Sequence, residues 1–155
     1  MKAVRVSEPG GPEKLELVDL PDPRPKAGEV ALEIHATALN RADLLQRRGL
    51  YPPPPGTTDI LGLECAGVVS ALGPGCSGGV QVGQRVMVLL GGGGYAESVV
   101  VPEALTMKIP DGLGFDRAAA IPEAFLTAPP AVAKTRAPCA CANCTAALPT
   151  PPAAA

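Results

Sequence analysis

The stretch Ala38–Gly67 reads ALNRADLLQRRGLYPPPPGTTDILGLECAG, and its parts ask for different backbones. Arg41–Arg48, RADLLQRR, predicts a short helix, with Asn40 just before it and Asp43 in its first turn. Asn and Asp satisfy the free N–H groups of a helix start, so both have a capping role open to them. Asp43 also precedes Arg47 by the spacing of a helical ion pair. Tyr51 stands before four prolines, which supply no backbone N–H, so it can serve simply to anchor a loop. From Cys65 to Leu72 the chain turns β-branched and apolar, which predicts a strand.

Outward from this stretch, short strand-like runs dominate. Lys2–Ser7, Leu15–Leu20, Glu29–Ala36, Cys65–Leu72, Arg85–Leu89, Ala96–Val101 and Leu105–Ile109 all alternate or are rich in branched residues. PGGP, PDPRPKAGE, GPG, VGQ and GGGG punctuate them. Many short strands with frequent turns predict a mainly β, barrel-like fold. Two short helices are expected, at Arg41–Arg48 and Phe115–Ala120.

Two glycine-rich runs invite a phosphate-binding reading. Gly73–Gly78, GPGCSG, satisfies G-x-G-x-x-G and follows a strand. A dinucleotide fingerprint opens a helix, whereas Gly79-Val80-Gln81-Val82-Gly83 is strand or turn material, so a turn is expected. Gly91–Gly94 is expected to be a hairpin connection.

The composition excludes several classes. Thirteen basic against fifteen acidic residues give a net charge of −2, and no basic stripe offers nucleic acid a footing. MKAVRVSEPGGPE has no apolar signal region, and no run reaches membrane-spanning length, so a cytoplasmic protein is expected. Of five cysteines only Cys65 and Cys76 lie before residue 129, and they read as reduced apolar residues.

NRADLLQR, YPPPPG and ILGLE occur together and in that order. On these motifs the chain resembles the medium-chain dehydrogenase/reductase superfamily. Within it, the chain is similar to the zinc-free quinone oxidoreductases of the zeta-crystallin type, the p53-inducible subgroup being nearest in motif. The resemblance runs from Met1 to Ala128. It implies a GroES-like, partly open β-barrel with short helices over residues 1–128, the substrate side of an NADPH-dependent quinone reductase. Zinc-dependent members carry a Cys where this chain has Asn40, and a Gly-His-Glu where it has Gly62-Leu63-Glu64. Neither Asn nor Leu is a usual zinc ligand, so no metal site is expected. A quinone is already electron-poor and needs little Lewis-acid help. It needs a flat slot, a hydride from the cofactor, and a proton for the reduced oxygen.

The resemblance further implies that Asn40, Asp43, Tyr51 and Thr127 line the substrate and nicotinamide region. The amide of Asn40 both donates and accepts, which suits a carboxamide or a quinone oxygen. The Tyr51 phenol would stack on the quinone and donate its O–H, and Thr127 would lie under the nicotinamide. Asn40, Asp43 and Tyr51 are the expected catalytic set, and Asn40 and Thr127 the expected cofactor contacts.

Past Ala128 the resemblance stops. Residues 129–155 hold ten alanines and six prolines among 27, with no acid and no aromatic. Such a segment buries too little apolar area to offset an ordering cost of ~1–2 kcal/mol per residue, so it is expected to be disordered. Its abrupt onset suggests an out-of-frame translation, to be tested by sequencing the transcript. Cys139, Cys141 and Cys144 are expected to be accidental rather than metal-binding, since no fourth ligand lies nearby. No stretch like the family's Rossmann domain is read after Ala128, so the chain is expected to be a truncated relative. It is expected to bind no cofactor and to be inactive alone. The alternative is a non-catalytic GroES-like module that self-associates or pairs with a full-length relative. A co-chaperonin-like protein is a third class, but it leaves NRAD and YPPPPG unexplained.

Overall fold

The computed structural model describes residues 1–128, so the Ala/Pro-rich tail and every reading made of it lie outside the described residues. Among those residues, β1 (Lys2–Val6) and β2 (Leu15–Asp19) pair antiparallel, with Lys2 opposite Asp19 and Val6 opposite Leu15. A second sheet is built from β3 (Glu29–Thr37), β4 (Glu64–Leu72), β5 (Arg85–Leu89), β6 (Ser98–Pro102) and β7 (Met107–Lys108). Its order is β6-β3-β4-β5-β7, and every pair is antiparallel. Isolated bridges, Ala3 to Ala96 and Arg5 to Ile60, tie the small ribbon to loops of the larger unit. The two sheets do not close on each other, which makes this the open form of the expected β architecture.

The core follows from the two-residue period of a strand. Val30 and Leu32 of β3, Cys65 and Val69 of β4, Val86 and Val88 of β5, and Val99 and Val101 of β6 form one buried cluster. Leu32 stands opposite Val69 on one side and Val99 on the other. Fully burying a valine or leucine stabilises by ~1.5–3 kcal/mol, so this face dominates the fold's energetics. A smaller cluster joins Ala66 and Ile109 to Ala118 and Ala119 at the end of α2 (Phe115–Ala118). Phe115 stacks on His35 with ring centroids 4.5 Å apart, and the Arg85 guanidinium lies 4.6 Å over the same ring. These contacts hold α2 against β3 and β5. Cys65 is a free, buried thiol, pushed up to about 12 by burial and secondarily by the charge of Glu64.

Several expectations need correction. The run Ala96–Val101 becomes a strand only from Ser98, because Ala96 is used in the bridge to Ala3. Leu105 ends a 3-10 turn, Glu103–Leu105, and the last strand shrinks to two residues. Gly91–Gly94 is not a hairpin. β5 lies between β4 and β7, whereas β6 pairs with β3, so the glycines form a crossover. The helix after Ala38 is α1 (Arg41–Arg47), and α2 is shorter than the six residues expected. Residues 122–128 are helical and were not anticipated as an element. Their signal was Pro122, a residue favoured in a first helical turn because its absent N–H has no partner to lose. This segment is α3. Among the described residues, no helix is long and apolar enough to cross a membrane.

Candidate functional site

Asn40 precedes α1 in an extended conformation, φ −114° and ψ 155°. Its backbone N–H donates to Asp43 Oδ2 at 2.7 Å, and the Asp43 N–H donates back to the Asn40 carbonyl at 3.1 Å. The capping role read from the sequence is therefore filled. The Asp43–Arg47 ion pair is not formed. Arg47 instead donates from Nε to the Gly10 carbonyl at 3.2 Å, and its own carbonyl accepts the Gly10 N–H at 3.0 Å.

The side chain of Asn40 goes elsewhere. Its Nδ2 donates to Glu64 Oε1 at 2.8 Å. Glu64 opens β4 and is only 2 % exposed. Its Oε2 accepts the backbone N–H of Glu123 at 2.8 Å, and its own carbonyl accepts Thr37 Oγ1 at 2.7 Å. Helix starts leave N–H groups without intrahelical partners and favour nearby negative charge, so Glu64 caps α3 from a distant strand. An ionised carboxylate can only accept, so Asn40 must turn its nitrogen rather than its oxygen toward Glu64. Burial, with the charges of Glu64 and Asp43, pushes the carboxyl of Glu123 up.

Asp43 is 3 % exposed, and no ion pair among the described residues involves it. Its Oδ2 also accepts the Tyr95 hydroxyl at 2.8 Å, while Oδ1 is buried without a partner. Burial raises the Tyr95 phenol well above its ordinary range, and the bond to Asp43 raises it further. Tyr95 is tightly seated. Its N–H donates to the Leu61 carbonyl at 2.9 Å, and a Cβ on Gly62, whose φ is +101°, would fall 2.6 Å from its ring.

Of the residues anticipated from sequence, Asn40 and Asp43 are brought together. Thr127 joins them indirectly, since its Oγ1 donates to the Glu123 carbonyl at 2.5 Å and Glu123 is held by Glu64. Tyr51 stands apart, 41 % exposed in the loop after α1. Glu64 and Tyr95 were missed as members of this network. Glu64 did carry a signal, a lone acid inside the apolar run ILGLECAG, where burial requires partners. Tyr95 carried none, because its partner lies 52 residues away.

The implied metal and cofactor can be tested on these contacts. Leu63 is buried and offers no donor, while the Asn40 nitrogen already serves Glu64, so this donor set does not fit zinc. A dinucleotide pyrophosphate needs a glycine turn that opens a helix. The Gly73–Gly78 run opens none. The Ser77 N–H, the Ser77 hydroxyl and the Gly79 N–H all donate to the Glu103 carboxylate, at 2.5, 2.9 and 2.9 Å. Gly73 is there for packing, since a Cβ on it would meet the Lys26 carbonyl oxygen at 1.8 Å. The Gly73–Gly78 run therefore does not fit the phosphate end of the cofactor.

This open antiparallel β architecture is that of a GroES-like domain. The family described as "Alcohol dehydrogenase GroES-like domain" matches residues 26–111, and the chain belongs to it. Its relatives lie in the medium-chain dehydrogenase/reductase family. The human "Synaptic vesicle membrane protein VAT-1 homolog-like" is 40% identical over 128 residues, 83% of this chain and 30% of that protein. The crystal structure of the human VAT-1 homolog-like protein superimposes with a TM-score of 0.80 at 38% identity, covering 87% of this chain and 43% of that one. A quinone oxidoreductase from Thermus thermophilus, whose complex with NADPH is also known, gives a TM-score of 0.71 at 41% identity, over 88% and 42%. The chain thus spans less than half the length of these relatives.

Proposed function

We propose that this chain supplies the substrate side of a zinc-independent, NADPH-dependent quinone reductase, and that these 155 residues alone do not turn over. The observation that carries the reading is Asn40. It stands where zinc-dependent members of the family place a cysteine, and it is anchored by two buried carboxylates instead of a metal. In this reading Asn40 hydrogen-bonds the substrate or the carboxamide of the cofactor. Asp43 holds the start of α1, and Tyr51 meets the quinone ring and donates its O–H. Thr127 lies toward the nicotinamide. Exposure of Tyr51 in the loop after α1 suits a group that contacts a ligand rather than the core. The finer assignment to the p53-inducible subgroup rests on the motif run alone. A reduced, cytoplasmic setting is part of the reading and agrees with the free thiols of Cys65 and Cys76.

The test is a titration of the purified chain with NADPH, by fluorescence or calorimetry, beside a version extended through a Rossmann domain. Saturable binding is expected only in the extended version. Low-micromolar binding by the 155-residue chain would overturn the reading.

The second reading is a non-catalytic module that self-associates or pairs with a longer relative. Leu39, 83 % exposed, and Phe125, 68 % exposed, favour it, because large apolar side chains in water invite a partner. Light scattering decides it, since a strictly monomeric chain at high concentration excludes self-association. Co-purification with a full-length relative tests the pairing.

A further inference from the structure

We propose that Tyr95 is a positioning residue for the Asn40 end of α1, acting through Asp43. The inference rests on the reading of Asn40 as a substrate-side residue. One oxygen, Asp43 Oδ2, receives two donors, the Tyr95 hydroxyl at 2.8 Å and the Asn40 N–H at 2.7 Å. The carboxylate is buried, and its other oxygen accepts nothing. A buried carboxylate without a cation depends on the few donors it has. With the phenol removed, the Asn40 N–H is the one remaining donor to that side chain among the described residues.

The mount of Tyr95 is rigid, which a positioning role requires. Its N–H is bonded to the Leu61 carbonyl, and its carbonyl accepts the Val4 N–H at 2.8 Å. A side chain at Gly62 would displace its ring. The phenol therefore reaches α1 from the glycine-rich crossover along a path fixed at both ends. The titratable groups that face this pair are Glu64 from β4 and Glu123 from α3. Both are acids, so neither offsets the charge of Asp43.

The test compares hydrogen exchange at the Asn40 backbone amide by NMR, in the 15N-labelled 155-residue chain and in Tyr95→Phe. The Asn40 N–H is bonded to the same Asp43 oxygen that the phenol holds. Losing the phenol should speed exchange at the Asn40 amide about tenfold, the size of one hydrogen bond to a charged acceptor, while the β4 amides stay protected. If Tyr95 only packs, the variant melts lower while Asn40 exchange changes no more than that of the β4 amides, and that result overturns the proposal. Should Tyr95→Phe not fold, the native chain decides. A slowly exchanging Tyr95 hydroxyl proton with a nuclear Overhauser contact to the Asn40 amide supports the proposal, and a hydroxyl in rapid exchange with water refutes it. Neither measurement uses NADPH or a quinone. A failure here therefore leaves the enzymatic reading standing, and a failed cofactor titration leaves this one standing.

Discussion

The side-chain amide of Asn40 is bonded to the carboxylate of Glu64 at 2.8 Å, across 24 residues of sequence. The same carboxylate holds the first turn of α3 through the Glu123 N–H. Three element starts, those of α1, β4 and α3, thus meet at one buried acid.

Truncating that acid should be costly. Glu64→Ala strands the Asn40 amide and the Glu123 N–H, each with a penalty of ~1–3 kcal/mol, so a loss of about 3 kcal/mol is expected. Urea unfolding measures it. Glu64→Gln should cost less, because its carbonyl can still accept one of the two donors. A loss below about 1 kcal/mol for Glu64→Ala would argue against the junction.

The phenol of Tyr95 should ionise late. In a Tyr51→Phe background it is the only phenol, since the chain has two tyrosines and no tryptophan. Its phenolate absorbance should rise only well above the free-tyrosine value of about 10, because burial and the Asp43 carboxylate both oppose the charge. Asp43→Asn should bring it down. The folded value lies above the unfolded one, so this group's contribution to stability is complete below about pH 10 and fades as pH rises toward the folded value. Ionisation at the free-tyrosine value would contradict the buried Tyr95–Asp43 bond.

Glu103 should act as the clasp of the Gly73–Gly78 loop. The Ser77 backbone bond, helped by the Ser77 hydroxyl and the Gly79 N–H, holds its carboxyl below the usual range. The clasp is therefore intact above the ordinary carboxylate pKa and loosens as pH falls through the lower, folded value. Glu103→Ala should speed hydrogen exchange at the Ser77 and Gly79 amides and leave the β4 amides protected. Unchanged exchange at both would sink the idea.

The exposed apolar residues beside α1 and α3 should make the chain sticky. Leu39→Ser combined with Phe125→Ser should lower binding of a hydrophobic dye and reduce self-association measured by light scattering, with the melting temperature shifted by only a few degrees. Undiminished dye binding in the double variant would place the adhesive surface elsewhere.

Local sequence was enough for most of the β fold. The alternation in Glu29–Ala36 and Arg85–Leu89 fixes which side chains face the core, because a strand has only two faces. NRAD was enough for the start of α1, since the contact from Asp43 to Asn40 spans a single turn. YPPPPG and ILGLE were enough for the family, which the match over residues 26–111 bears out.

What the sequence by itself determined is thus whatever depends on neighbours a few residues apart: strand periodicity, the cap of α1 and the motifs of the family. What only the tertiary structure decided depends on residues that folding alone makes neighbours. Strand order is one case. The two sides of Gly91–Gly94 look like the arms of a hairpin, yet β5 and β6 find different partners, because sheet order is set by global packing. The site is the other. Arg47 forgoes Asp43, four residues away, for the Gly10 carbonyl, leaving Asp43 to Tyr95. Glu64 changes from a spacing marker into the anchor of Asn40 and α3. A buried carboxylate takes whichever donors the fold delivers to it, and no local pattern encodes which those are.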